Sequence, residues 1–192
     1  MVEESLAWRT SAALYGGAIT CDMPSTFDDV SAIREVPDHQ EVWADRSSDR
    51  SLIVEILERK KEVTDEQAVN FFLADLASAN DAKDLRILVD RPAHTEEELP
   101  SVPADTRCML GVCEQTVAKF NEASGNVVKV HICILRLAAQ DTDLLVMLND
   151  PVLIDPESSS ADVPVRSEDG ERLFAQVVRS FRIVDWELFG GS

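Results

Sequence analysis

Ser51-Leu52-Ile53-Val54-Glu55-Ile56-Leu57-Glu58 sets five branched aliphatic residues in eight positions, broken only by Glu55 and Glu58. A run this short and this apolar is a buried strand or a short helix, and periodicity alone does not separate them. Its β-branched content favours a strand. The choice decides where the glutamates point. On a helix their spacing of three puts them on one face; on a regular strand they face opposite ways unless a bulge or the strand end re-aims one. Immediately upstream, Phe27 to Asp45 alternates short apolar runs with carboxylates. Pro37-Asp38 is turn chemistry, because proline presets its φ and aspartate bonds its own backbone. This stretch reads as a compact acidic loop, after which Glu41, Val42, Trp43 and Ala44 begin a strand.

The motif series around these two pieces spans nearly the whole chain. It runs Leu14-Tyr15-Gly16-Gly17-Ala18-Ile19, then Ile33-Arg34-Glu35-Val36-Pro37-Asp38, Gln40-Glu41-Val42 and the Ser51 to Glu58 run. It continues through Leu135-Arg136-Leu137, Asp141-Thr142-Asp143-Leu144-Leu145-Val146 and Ser180-Phe181. In this order and spacing the sequence resembles the Mog family of Ran-binding proteins, also called Ran guanine nucleotide release factors. The resemblance implies one α/β domain of the Mog/PsbP-like type over residues 1–192. It also implies binding to the small GTPase Ran with release of its nucleotide, a role in nuclear protein import, and residence in nucleus and cytoplasm. The family's Ran-contacting acidic pair falls on Glu55 and Glu58; the first is aspartate in the family pattern, a change of reach and not of charge. Asp38, Glu41 and Asp28 join them as supporting charges by their proximity in the signature.

Composition sets independent bounds. A chain of 192 residues is one domain by default and buries about 70% of its unfolded surface. With 36 acidic and 18 basic residues, the net charge of −18 repels nucleic acid and anionic lipid and steers basic protein surfaces inward. Cys21, Cys108, Cys113 and Cys133 show no Cys-x-x-Cys and no histidine at metal spacing, so no metal or cofactor is expected and the thiols read as small core residues of a reducing compartment. The start, Met1-Val2-Glu3-Glu4-Ser5, is acidic where a secretion signal is basic, and no apolar run approaches the ~20 residues that span a bilayer. No heptad seam is visible, so the expected state is a monomer.

Outward from the opening stretch, residues 1–12 read as flexible and Leu14 to Thr20 as a first strand with a Gly16-Gly17 bulge. A phosphate cradle there would need more glycines and a following helix. Thr64-Asp65-Glu66-Gln67 is a capping box. The helix it starts has Ala68, Phe71, Phe72, Leu76 and Ala79 on one face, with Asn80 as the stop. Leu85 to Val89 is a short strand, and 90–106, with three prolines and Glu96-Glu97-Glu98, a surface loop. Arg107 to Phe120, with Leu110, Val112, Thr116, Ala118 and Phe120 alternating, forms a hairpin through 121–126 with the doubly apolar 127–138. A third strand, Leu144 to Asn149, returns beside it and ends before Pro151. Ser167 caps a last helix with Leu173, Phe174, Val177, Val178 and Phe181 buried, and the Asp185 to Phe189 tail packs back. Helices flanking a run of antiparallel strands give an α/β/α sandwich.

No Gly-x-Ser-x-Gly, His-Glu-x-x-His or Walker loop is present, and His131 in its apolar strand reads as a core histidine. Covalent or metal catalysis is disfavoured, and the expectation is a GTPase regulator without a chemical active site. Two other readings use the same fold: an adaptor or trafficking scaffold without effect on nucleotide, and a luminal accessory module of the PsbP-like kind. The second of these is opposed by the acidic start.

Overall fold

A computed structural model of the chain describes residues 7–117, 125–156 and 170–190. Its strands are β1 (Trp8–Leu14), β2 (Ile19–Pro24), β3 (Phe27–Asp29), β4 (Gln40–Asp45), β5 (Ser51–Glu58), β6 (Asp84–Pro92), β7 (Arg107–Val117), β8 (Asn126–Leu137), β9 (Thr142–Leu153) and β10 (Arg182–Ile183). Its helices are α1 (Asp65–Ala79), the single turn α2 (Thr95–Glu98) and α3 (Gly170–Ser180). The 51–58 run is therefore a strand. It is an interior one, because a seven-stranded antiparallel sheet has the order β3-β4-β5-β9-β8-β7-β6. A second sheet of three strands, β1-β2-β10, was not expected from the sequence.

Strand alternation sends the apolar side chains to two cores. Val54, Leu135, Leu137, Leu144, Val146 and Leu148 face the small sheet and α3, where Leu14, Ile19, Met23, Phe174, Val177 and Phe181 meet them. Val130, Ile132, Ile134, Leu145 and Met147 face α1, which buries Ala68, Val69, Phe72 and Leu73. β8 and β9 are thus covered on both faces, which is why they read as continuous apolar runs. The layers are helix, main sheet, then small sheet with helix, a mixed α/β sandwich dominated by antiparallel pairing.

The capping box of α1 forms as read, with Thr64 and Gln67 bonded reciprocally and Asn80 at the C-cap. Its buried face is rotated from the expected stripe, however: Val69, Leu73 and Ala77 are inside while Ala79 is exposed. α1 lies close on β7 at Gly111, where an added methyl would overlap Val69 Cγ1 and stand 3.0 Å from Ile132 Cγ2. Gly111→Ala is expected to lower stability by about 1–3 kcal/mol, as overpacking does; a thermal melt equal to the parent would show that α1 moves away freely.

Several boundaries differ from the reading above. Residues 8–12 are part of β1, while 1–6 lie outside the described residues. The Leu14 to Thr20 segment is the tip of the β1–β2 hairpin and not one strand: Tyr15, Gly16 and Gly17 have φ of 49°, 66° and 97°, conformations that turn the chain back and that glycine takes without steric cost. β6 continues through Pro92, and 95–98 is helical, with Leu99 and Val102 buried, so 90–106 is an ordered crossing with buried anchors and not a plain surface loop. On β7 the residues buried against α1 are Met109, Gly111, Cys113 and Gln115, while Leu110 and Val112 are half-buried on the other face; Ala118, Phe120, the 121–124 turn residues and the Ser167 cap lie outside the described residues. β9 runs past Pro151 through a bulge: Val128 pairs with Pro151 and Val127 with Leu153, which leaves Val152 as the extra residue.

The four cysteines are free thiols in the core. Burial pushes Cys21 and Cys108 up to about 12 and Cys113 up to about 11, and it raises Cys133 as well. Thiolate is the reactive form. We expect Ellman's reagent at pH 8 to leave the native protein unlabelled and to titrate these thiols once denaturant is added, with melting unchanged by reductant. A fast-reacting native thiol would contradict this placement.

Candidate partner-binding surface

Five carboxylates were singled out from the sequence, and the structure distributes them along the β3-β4-β5 end of the main sheet. Glu55 pairs with Gln40 on one side and Leu145 on the other; Glu58 pairs with Thr142. Register is unbroken from Ser51 to Glu58. With no bulge to re-aim either side chain, alternation puts the two glutamates on opposite faces. Glu55 lies on the Ile53 and Leu57 side and Glu58 on the Val54 and Ile56 side.

Their surroundings differ too. The Glu55 side chain is 17% exposed; its Oε1 accepts from Gln40 Nε2 at 2.8 Å and lies 3.5 Å from His39 Nε2. Glu58 is exposed, one residue before Arg59. Since the Ile56 amide donates to the His39 carbonyl at 2.9 Å, β4 starts level with Ile56. Glu58 stands about 7 Å beyond that point at the usual rise per residue.

Glu41 faces the small sheet and accepts the Tyr15 amide at 2.6 Å. The Tyr15 hydroxyl lies 2.9 Å from the Val54 carbonyl and 3.0 Å from that of His39. Burial, then the Glu41 and Glu55 charges, raise the Tyr15 phenol well above its ordinary range, so it remains a donor. Glu41 thus fastens the β1–β2 hairpin tip to the start of β4. Asp38 is exposed in the turn closed by the Gln40 amide on the Pro37 carbonyl at 2.8 Å. Asp28 sits on the edge strand β3 opposite Ala44, with its carboxylate 3.1 Å from Arg46 Nη1. Glu55, Asp38 and Glu41 lie around the β4 start, Glu41 and Glu55 on opposite faces of the sheet, Glu58 extends the group along β5, and Asp28 is apart from it.

Sequence reading gave no role to three neighbours that the fold brings in. Tyr15, His39 and Gln40 position the carboxylates; only the β4–β5 register places Gln40 beside Glu55. Ile33 is 83% exposed, on a loop entered by a short turn that Asp29 caps through the Ser31 amide at 2.8 Å. A large apolar side chain left in water beside acidic residues is a common anchor of protein interfaces. Among the described residues no group of three or more His, Cys, Asp or Glu is placed to hold a metal, and no helix is long and apolar enough to cross a membrane.

The family model described as Ran-interacting Mog1 protein matches residues 12–151. A Ran guanine nucleotide release factor of Danio rerio is 36% identical, over 94% of this chain and 100% of that protein. The nuclear import protein MOG1 of Saccharomyces cerevisiae is 29% identical, over 92% of this chain and 83% of its own. The crystal structure of the S. cerevisiae Ran-binding protein Mog1p superposes with a TM-score of 0.70 at 29% identity, covering 96% of this chain and 100% of that one.

Proposed function

Because the chain belongs to the Ran-interacting Mog1 protein family, we propose that it carries out what its relatives are named for. It binds the small GTPase Ran, promotes release of Ran's guanine nucleotide and takes part in nuclear protein import. The observation that carries this is the match to release factors along nearly the full length of both chains. It is a regulator of Ran, and it needs no chemical active site of its own. Its place is the nucleus and cytoplasm, where a factor of nucleocytoplasmic transport meets Ran.

The contact surface in this reading is the acidic end of β4 and β5. Glu55 and Glu58 make the central contacts, Asp38 adds charge, and Glu41 and Asp28 support the surface. Ile33 supplies an apolar anchor. A GTPase holds its nucleotide with a phosphate-cradling lysine and a magnesium ion, so carboxylates brought near that site weaken the hold by competing for the lysine or the metal. By reciprocity, a factor that weakens nucleotide binding tenfold binds the empty GTPase about 1.4 kcal/mol more tightly.

The test is to mix the protein with Ran carrying a fluorescent nucleotide and record release. Acceleration that grows with concentration and saturates is the expected result. Binding without acceleration would replace the release reading with that of an adaptor.

A further inference from the structure

At the end of the main sheet where β5 and β8 finish and β7 and β9 begin, a cleft of about 470 Å³ opens among Arg59, Arg107 and Arg136. Trp186 forms one wall, and Asp105 is the acidic side chain of the lining. The chain carries 36 acidic residues to 18 basic, so three arginines to one aspartate inverts the balance of the whole molecule. The three arginines are not equivalent. Arg136 is fully buried and committed to the Lys60 and Val63 carbonyls and to Asp143.

Arg59 and Arg107 are not so committed. Arg59 Nε is buried without an acceptor among the described residues, and the nearest carboxylate, Asp65, is 4.0 Å from its Nη2. Arg107 is exposed and has no ion pair or side-chain hydrogen bond among the described residues; it acts on Glu66 only through space.

Strand register fixes where this cleft lies. Glu58 pairs with Thr142, and Thr142 with Leu137 of the cleft lining. Two strand spacings therefore separate Glu58 from Leu137, about 10 Å, and Arg59 follows Glu58 directly. The exposed carboxylate and the arginine cleft are neighbours on one rim of the protein.

We propose that the Arg59–Arg107 cleft receives a carboxylate side chain of the GTPase partner, so that docking engages charges of both signs side by side. This rests on the proposed function and adds a second, opposite contact to it. Guanidinium groups are suited to the task, since their planar fork matches a carboxylate. A free phosphate ligand fits less well. No residue of a helix of two turns or more lines the cleft to offer amides, and the net charge of −18 repels small polyanions. A protein-borne carboxylate is delivered by the attraction of its surroundings to Glu58. Adjoining contacts of opposite sign also fix orientation, because a partner turned end for end meets like charge at both.

The experiment uses the full chain with Arg107→Glu and Arg107→Lys, each first shown to melt like the parent. Concentration dependence of nucleotide release from Ran is then measured. For Arg107→Glu the half-saturating concentration is expected to rise about tenfold or more, as for like charges set against each other at an interface. The rate at saturation stays the same, and Arg107→Lys keeps most of the affinity. An unchanged half-saturation in Arg107→Glu would overturn the proposal while leaving the release function standing. Calorimetric titration with GDP and with inorganic phosphate tests the other source of an oxyanion: binding that depends on Arg107, with Ran affinity unaffected, also overturns it. Should the parent protein release no nucleotide, the proposed function fails by itself. The cleft is then read from the Kd for immobilised Ran, where equal values for parent and Arg107→Glu overturn it.

Discussion

Glu58→Lys is expected to reduce nucleotide release from Ran at least tenfold at subsaturating concentration, and Glu55→Lys with Glu58→Lys to reduce it to the spontaneous rate. A lysine at either position sets like charge against the basic surface that the acidic rim is proposed to meet, and such juxtapositions cost several kcal/mol. The two positions differ in what else they disturb. Glu58 is exposed, so its reversal should shift folding stability by no more than about 0.5 kcal/mol. Glu55 is only 17% exposed and accepts from Gln40 at 2.8 Å, so its reversal also strands that donor, at about 1–3 kcal/mol. Glu58→Lys alone is therefore the cleaner measurement. Reversal of Glu96 and Glu97, exposed on the α2 turn, serves as the control and should alter only association rate and salt dependence. Full release activity in Glu58→Lys, with Ran binding intact, would remove Glu58 from the contact surface.

Arg136→Ala should be the most damaging single change to the fold. Arg136 and Asp143 are both fully buried, with Nε 2.8 Å from Oδ1; the contact is ionic and not a well-aligned hydrogen bond. The guanidinium also donates to the Lys60 and Val63 carbonyls at 2.9 and 2.8 Å, tying the loop after β5 to β8. Burial raises the Asp143 carboxyl, opposed by the Lys60 amide at 2.9 Å and by Arg136. Truncating the arginine leaves that carboxyl without its counter-charge and two carbonyls without donors. Breaking one side of a buried pair costs about 3–5 kcal/mol, which for a chain of this size lowers Tm by roughly 6–20 °C. Chemical denaturation checks it; a loss under about 1 kcal/mol would mean that water or a rearranged loop takes the place of the guanidinium.

What could be read from the sequence was whatever a single segment encodes by itself. The 51–58 strand, the α1 capping box, the doubly apolar β8 and the amphipathic α3 each carry their own pattern, and each is present. The small sheet was hidden because its signals are broken: β1 has a register shift between Arg9 and Ala12, and β10 is two residues long. Pro151 argued for a stop in β9 because a proline cannot donate, yet the strand continues through a bulge of its own, with Val152 as the extra residue opposite Val127 and Val128. At the candidate surface, the carboxylates themselves were visible. Their inequality was not, since Glu41's role depends on Tyr15 and Glu55's on Gln40, contacts made 26 and 15 residues away.

The order of pairing has a consequence for how the chain comes off the ribosome. β5 emerges early, yet its inner neighbour is β9, and Ser51, already opposite Ala44 of β4, finds its second partner only at Asn149. β2 waits longer still, for Arg182 opposite Thr20 and Ile183 opposite Ile19. In between, β6 to β9 follow one another as local antiparallel pairs, the kind of contact that forms fastest. The nascent protein therefore forms its local pairs first, β1–β2 and β3–β4–β5 among them, and joins β5 to β9 and β2 to β10 only once those later strands are made. During that interval the apolar faces of β2 and β5 are exposed to whatever captures unfinished chains. A stop codon just ahead of Arg182 would release a protein that keeps α3 over this core but leaves β2 without its second neighbour.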